Sequence, residues 1–241
     1  MATVDAPTPA PQIAVTRIES EPFAEHSYLL TAAGSRDCVV IDPGFEPDAI
    51  LEAIEAQGLV PRAILITHGH SDHIAGNGTL REAFPGLPIV VGRGDAPKLI
   101  DPMGNLSGLF GLPITSPPAD RLLDDEESFS VAGLAFRVME IPGHSSGHLV
   151  FLVEGCTPPV VFGGDVLFRE GIGRTDFPDG DFAALASGIR RRLYTLPAAT
   201  VVFPGHGPET TVGHERSHNP FVPLVPVVPV APSGPRSDRA D

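Results

Sequence analysis

Thr67-His68-Gly69-His70-Ser71-Asp72-His73 follows directly on the apolar run Ala63-Ile64-Leu65-Ile66. The heptapeptide reads H-x-H-x-D-H, so three imidazoles and a carboxylate fall within six residues. The apolar run predicts a buried strand, with Gly69 marking a sharp turn out of it. Alternate side chains of an extended segment share a face, which lets His68 and His70 converge on one point. Asp72 and His73 follow the turn and converge on a second point nearby. Imidazole and carboxylate are metal ligands, and this register predicts a two-metal site. A polar loop that is merely rich in His is the plain alternative, but four ligand-type side chains so spaced seldom arise by chance.

Working outward, the chain has 241 residues, 42% of them hydrophobic, enough for one large sandwich-type domain with a sizeable core. Its 26 Gly and 27 Pro predict many short strands joined by tight loops. The formal charge is −14, which repels polyanions, so nucleic acid is not an expected partner. Lys98 is the one lysine, and the longest basic run is Arg190-Arg191-Arg192 on a predicted helix. Cys38 and Cys156 form no C-x-x-C pair and no disulfide framework. Met1 to Gln12 has neither a basic nor an apolar segment of the signal-peptide kind, and no apolar run approaches membrane-spanning length. A cytoplasmic protein without membrane attachment is expected.

Along the chain, residues 1–11 are rich in Pro and Ala and are expected to be disordered. The folded domain is expected over 12–219. Strands are predicted at 13–18, 28–30 and 38–41, the last two paired around the turn 34–37. A helix over 48–58 starts at Pro47 and stops at Gly58. A second helix is predicted over 74–84, a strand at 88–91, and a long surface loop, of the kind that serves as a lid, over 104–118. A hairpin around Gly133 spans 129–139, strands follow at 149–153 and 160–162, a helix capped by Asp181 covers 182–196, and a last strand covers 201–203. Ala63-to-His70 and Thr200-to-His206 echo one another as apolar strands running into His-bearing loops. This alternation in two halves predicts two packed sheets with helices outside and a site where strand ends meet. In 220–241, Pro220, Pro223, Pro226, Pro229, Pro232 and Pro235 recur at the repeat of a polyproline II helix. This tail is read as a semi-rigid apolar segment rather than a docking strip.

Three further stretches place a ligand-type residue among small ones at a strand end: Pro142-Gly143-His144-Ser145-Ser146-Gly147-His148, Phe162-Gly163-Gly164-Asp165 and Phe203-Pro204-Gly205-His206-Gly207. With the heptapeptide they make five His and two Asp. The order THGHSDH, PGHSSGH, GGD, PGHG resembles the metallo-β-lactamase superfamily over about residues 13–220. Within it, GDVLF…GIGRTDF and PGHGPETTVGHERSHNPF look most like hydroxyacylglutathione hydrolase, or glyoxalase II, and its single-domain relatives. The resemblance implies an αββα four-layer sandwich. It implies one metal on His68, His70 and His144, a second on Asp72, His73 and His206, and Asp165 as the bridge. His148 matches no ligand position and is expected to support the site. His214 and His218 are expected on a terminal helix, and His26 near a turn. Asp42 ends a strand, where it either braces the metal loop or serves as a plain turn residue.

The expected chemistry is hydrolysis by a hydroxide shared between two divalent ions, attacking a carbonyl, with a glutathione thioester as the first choice of substrate. Asp72 would orient that hydroxide. The ligand types suit zinc first, with iron or manganese as alternatives. Two departures from glyoxalase II stand out: the C-terminal helical domain that helps hold glutathione is replaced by the Pro-rich tail, and Gly207-Pro208 follows His206 where that family usually places a Tyr. Arg174 falls where a basic residue commonly meets a substrate carboxylate, with an ion pair to Asp176 as the structural alternative. Competing readings are a persulfide dioxygenase with one iron, a lactonase or phosphodiesterase of the same fold, and a non-catalytic binding module, against which the complete ligand set argues.

Overall fold

The computed structural model describes residues 12–21 and 23–224, so the expectations for residues 1–11 and for the prolines beyond Pro223 lie outside the described residues. The first half builds a six-stranded sheet in chain order. Its strands are β1 (Ile13–Ser20), β2 (Glu25–Ala32), β3 (Asp37–Ile41), β4 (Val60–Ile66), β5 (Ile89–Gly92) and β6 (Arg121–Leu123). The first three pair antiparallel; from β3 onward the pairs are parallel. The second half contributes β7 (Ser128–Val131), β8 (Leu134–Glu140), β9 (Leu149–Val153), β10 (Val160–Gly164), β13 (Val201–Pro204) and β14 (Thr210–Thr211), with β13 beside β10 in parallel. A two-stranded ribbon, β11 (Leu167–Phe168) and β12 (Gly171–Ile172), stands apart.

Three apolar clusters correspond to the three interfaces of a four-layer αββα sandwich. Side chains alternate across a strand. In β3, Val39 and Ile41 therefore point between the sheets, where they join Leu65, Phe136, Phe151 and Phe162, while Val40 points outward. Outside the first sheet, Val40, Ile64, Ile66 and Ile89 pack under Ile50 and Ile54 of helix α1 (Pro47–Gln57) and under Ile74 and Leu80. Outside the second, Met139, Val150, Val161 and Val202 pack under Leu185 of α4 (Phe182–Gly188), Ile189 and Leu193 of the π-turn that continues it, and Val212 of α5 (Val212–His218).

The elements agree closely with the sequence reading, including Asp181, whose side chain accepts the Ala184 N–H at 2.9 Å as a helix cap. One expectation needs correction. The helix expected over 74–84 is two pieces, α2 (Ser71–Ile74) and α3 (Asn77–Ala83). The chain breaks at Gly76, whose N–H is drawn to Pro43 O at 2.8 Å on the turn after β3. His26 lies, buried, at the start of β2, just after the turn at 23–24. The loop 104–118 carries one short 3₁₀ turn, Ser107–Phe110. No helix among the described residues is long and apolar enough to cross a membrane.

Candidate metal centre

Four strand ends from both sheets meet at one rim. β4 delivers the heptapeptide, the turn after β8 carries His144, β10 ends one residue before Asp165, and β13 ends at Pro204 before His206. All seven expected ligand residues are brought together there. His68 Nε2 lies 3.0 Å from His70 Nδ1 and 3.2 Å from His144 Nε2. His206 Nε2 lies 3.4 Å from Asp72 Oδ2, and His73 Nε2 lies 3.8 Å from the same oxygen. Asp165 stands between the two groups: Oδ2 is 3.4 Å from His144 Nε2 and 3.4 Å from His206 Nε2, and Oδ1 is 3.5 Å from His73 Nε2. Ligands at zinc-type bond lengths in a tetrahedron are separated by about 3.3 Å. The observed spacings centre on that value, so the side chains are arranged as a coordination shell.

The outer partners fix which ring atom faces inward. His73 Nδ1 donates to Asp42 Oδ2 at 3.1 Å, His144 Nδ1 to Arg174 O at 2.9 Å, and His206 Nδ1 to Phe23 O at 3.1 Å. The Thr67 hydroxyl donates to Asp42 at 2.6 Å, so its oxygen accepts from His68 Nδ1 at 3.1 Å. Each turns its Nε2 toward the centre, where the neutral ring would offer a lone pair. His73 Nε2 and Asp165 Oδ1 are buried with no hydrogen-bond partner, which is the condition of atoms that await a ligand. Asp42 thus acts as a brace, the first of its two expected roles, and its second oxygen holds the Thr67 N–H at 2.7 Å. Gly205 packs so closely that a Cβ there would meet Asp165 Oδ1 at 2.2 Å. Gly69 has no left-handed backbone; a Cβ on it would meet Lys98 Cβ at 2.7 Å, so close approach rather than turning requires glycine.

The electrostatics divide the groups. Burial, reinforced by neighbouring imidazoles, holds His68 well below the ordinary value and His70 down at about 3. Burial also opposes charge on His73, but the Asp72 and Asp165 carboxylates outweigh it and carry His73 up to about 10. His206 rises to about 11 for the same reason. Asp165 is held far below the usual carboxylate range by His73 and His206, against its own burial. Two imidazolium protons therefore stand where a divalent cation would, and the donor set fits one.

A pocket of about 370 Å³ opens over this rim. Arg174 lines it and forks onto Asp176, Nε to Oδ1 at 2.7 Å and Nη2 to Oδ2 at 2.8 Å. His148 supports the site, accepting the Asp165 N–H at 3.0 Å and stacking on His68 at 4.6 Å. His214 and His218 lie on α5, away from the cluster.

Three features escaped the sequence reading. Glu25 is fully buried beside His73, 3.9 Å from Nδ1, and burial raises its pKa well above the ordinary value. Asp95 ties two ligand loops together, accepting Gly69 N–H at 2.8 Å, Gly147 N–H at 2.7 Å and the Ser145 hydroxyl, with Lys98 Nζ at 3.1 Å. Asn105 anchors the long loop, its carbonyl accepting Ser71 N–H at 3.0 Å. Asp95 had a readable signal: it follows glycines at a strand end, as Asp165 does.

Comparison with known proteins agrees with the geometry. Residues 20–206 match the family model described as Metallo-beta-lactamase superfamily. The chain is 37% identical over 189 residues to hydroxyacylglutathione hydrolase GloC of Haemophilus influenzae, covering 78% of this chain and 88% of that protein. The crystal structure of BLEG-1 B3 metallo-beta-lactamase superposes with a TM-score of 0.82 at 37% identity, covering 87% of this chain and 99% of that one. TTHA1623, crystallised in a di-iron-bound form, gives 0.75 at 38% identity, with 86% and 100% covered.

Proposed function

The chain belongs to the metallo-β-lactamase superfamily and is a metallo-hydrolase, and from that premise we propose that it hydrolyses thioesters at a dinuclear centre, in the manner of hydroxyacylglutathione hydrolases. The observation that carries this reading is Asp165, whose Oδ2 is equidistant, at 3.4 Å, from a histidine of each three-residue group. His68, His70 and His144 would hold one ion, Asp72, His73 and His206 the other, and Asp165 both, within the domain 12–219. Zinc is the first choice for this N/O set, and iron is a strong second, given the di-iron form of TTHA1623. Bound there, the ions supply a nucleophile derived from water at neutral pH and take up charge on the carbonyl oxygen.

The chain's own residues do the rest. Asp72 lines the pocket and is held ionised, chiefly by His73 and His206 overcoming its burial. Its carboxylate can accept a hydrogen bond from the attacking water and fix its direction. Water adds to the carbonyl carbon, the carbon–sulfur bond breaks, and the products are a carboxylic acid and a thiol. A thiolate leaves readily, so no dedicated acid is required. Cys38 and Cys156 are free and buried, which suits the proposed cytoplasmic setting. A single-iron dioxygenase would leave the Asp72–His73–His206 group without a task.

The test is elemental analysis of protein purified without chelator, beside thioester hydrolysis and oxygen-uptake assays. Two metals per chain with thioester turnover and no oxygen uptake is the expected result. One metal with oxygen consumption would replace this reading with the dioxygenase.

A further inference from the structure

The pocket over the ligand rim is walled by hydrocarbon. Phe177 stands at one end of the ligand row, its ring 5.3 Å from that of His70 and 5.9 Å from that of His144. Phe168 stands at the other, 6.0 Å from His206. Phe23, Leu106, Phe110 and Ile172 complete the apolar lining. Outside the ligand set, the polar lining is already engaged. Asn105 donates its amide to Lys98 O at 3.2 Å and Ile114 O at 2.9 Å. Arg174 is the one Arg or Lys among the described lining residues, and it is neutralised by Asp176 while its guanidinium lies 4.2 Å over the Phe177 ring. Only the Ser71 hydroxyl stands outside these pairings.

The roof is shaped for the same kind of occupant. Leu106 is buried in the left-handed region, φ 70°, a strained conformation for a branched residue, next to the Asn105 anchor on Ser71. Beyond it, Phe110 is 62% exposed at the pocket mouth. An exposed aromatic ring on an anchored loop offers apolar surface to whatever enters.

We propose that the enzyme selects substrates by a medium-length alkyl or aryl acyl group, which lies against Phe177, Phe168 and Phe110, in preference to a small hydroxyacyl group. The inference rests on the thioester reading above and concerns the acyl side alone. Beyond the ligand rim, Arg174 is the one cationic side chain of the described lining and is already paired with Asp176, so the apolar walls favour the acyl chain over a charged thiol portion. Hydrolysis needs only water, as already balanced.

The experiment uses the metal-loaded full chain and thioesters of one thiol carrying acetyl, butyryl, hexanoyl, phenylacetyl or lactoyl groups. The expected kcat/KM rises by up to about fourfold per added methylene, with hexanoyl and phenylacetyl well ahead of lactoyl. Phe110→Ser should lower the hexanoyl-to-acetyl ratio. A second series holds acetyl constant and lengthens an alkyl thiol. A flat acyl profile with measurable turnover, or a rise confined to the thiol series, overturns the inference and leaves the thioester reading standing. If no thioester is cleaved, that reading has failed, and calorimetric binding of the free acids still decides: hexanoate must bind more tightly than lactate, and equal binding overturns the proposal.

Discussion

His148 Nε2 accepts the backbone N–H of Asp165 at 3.0 Å. A buried imidazole outside the candidate ligand set thereby sets the position of the carboxylate between the two groups, and it does so while stacked on His68. Burial holds His148 down at about 3, so it remains a neutral acceptor across the physiological range. His148→Ala should weaken metal binding by about 10- to 100-fold, the usual effect of removing such an outer partner. Chelator competition measures this, with circular dichroism to confirm that the fold persists. His148→Gln, which restores an acceptor, should recover part of the loss. Unchanged affinity in the alanine variant would show the contact to be incidental.

Asp165→Ala removes a carboxylate shared by both groups. Its effect on turnover should exceed the roughly 100-fold ceiling for an outer partner, and metal content should fall below two per chain. His218→Ala serves as the control, since His218 sits on α5 with Nδ1 facing His214 O; it should change stability by no more than about 0.5 kcal/mol. Near-normal turnover by Asp165→Ala would remove it from the bridge.

Metal uptake should release protons unequally. His73 and His206, carried to about 10 and about 11, are protonated in the metal-free protein at neutral pH, whereas His68 and His70 are neutral. Bound imidazole must be deprotonated, so filling the Asp72–His73–His206 group releases about two protons, whereas His68 and His70 release almost none. Calorimetry in buffers of different ionisation enthalpy counts them. Equal release from both steps would contradict this division.

The same shifts shape stability with pH. The raised values of His73 and His206 give stability that is complete below the ordinary histidine value of about 6.5 and is lost as pH climbs toward 10 and 11. The lowered values of His68, His70 and His148 give stability that is complete above about 6.5 and is lost as pH falls toward 3. Chelator-treated protein should therefore be most stable near about pH 6.5 in urea titrations, with a decline on each side. A steady rise through alkaline pH would refute the assignment.

Asp95→Ala should be the most damaging change outside the ligands. It strands the Gly69 and Gly147 N–H groups and leaves Lys98 with Asp179 as its one remaining carboxylate partner beside the Ser145 hydroxyl. Leaving a buried N–H without its acceptor costs about 1–3 kcal/mol, read as a lower denaturation midpoint. The loops carrying His70 and His144 should also loosen, so metal affinity should fall in the same variant. Loss of stability without loss of affinity would limit Asp95 to the fold.

Much of this was legible because the information is local. The ligands announce themselves as His or Asp among small residues at the ends of apolar runs, and strand alternation reports both faces of each sheet. What was not legible depends on partners distant in the chain. Glu25 looks like an ordinary acidic residue until β2 carries it beneath His73. Gly76 breaks a helix that its neighbours would propagate, because Pro43 O competes for its N–H. Arg174 carries equal sequence signals for substrate and for Asp176, and the structure supplies the Asp176 partner.

The ligand residues are drawn from both sheets: His68, His70, Asp72 and His73 from the loop after β4, and His144, Asp165 and His206 from the second sheet. An ion held by both is a clasp across the mouth of the sandwich, and its binding energy is withdrawn from the open state.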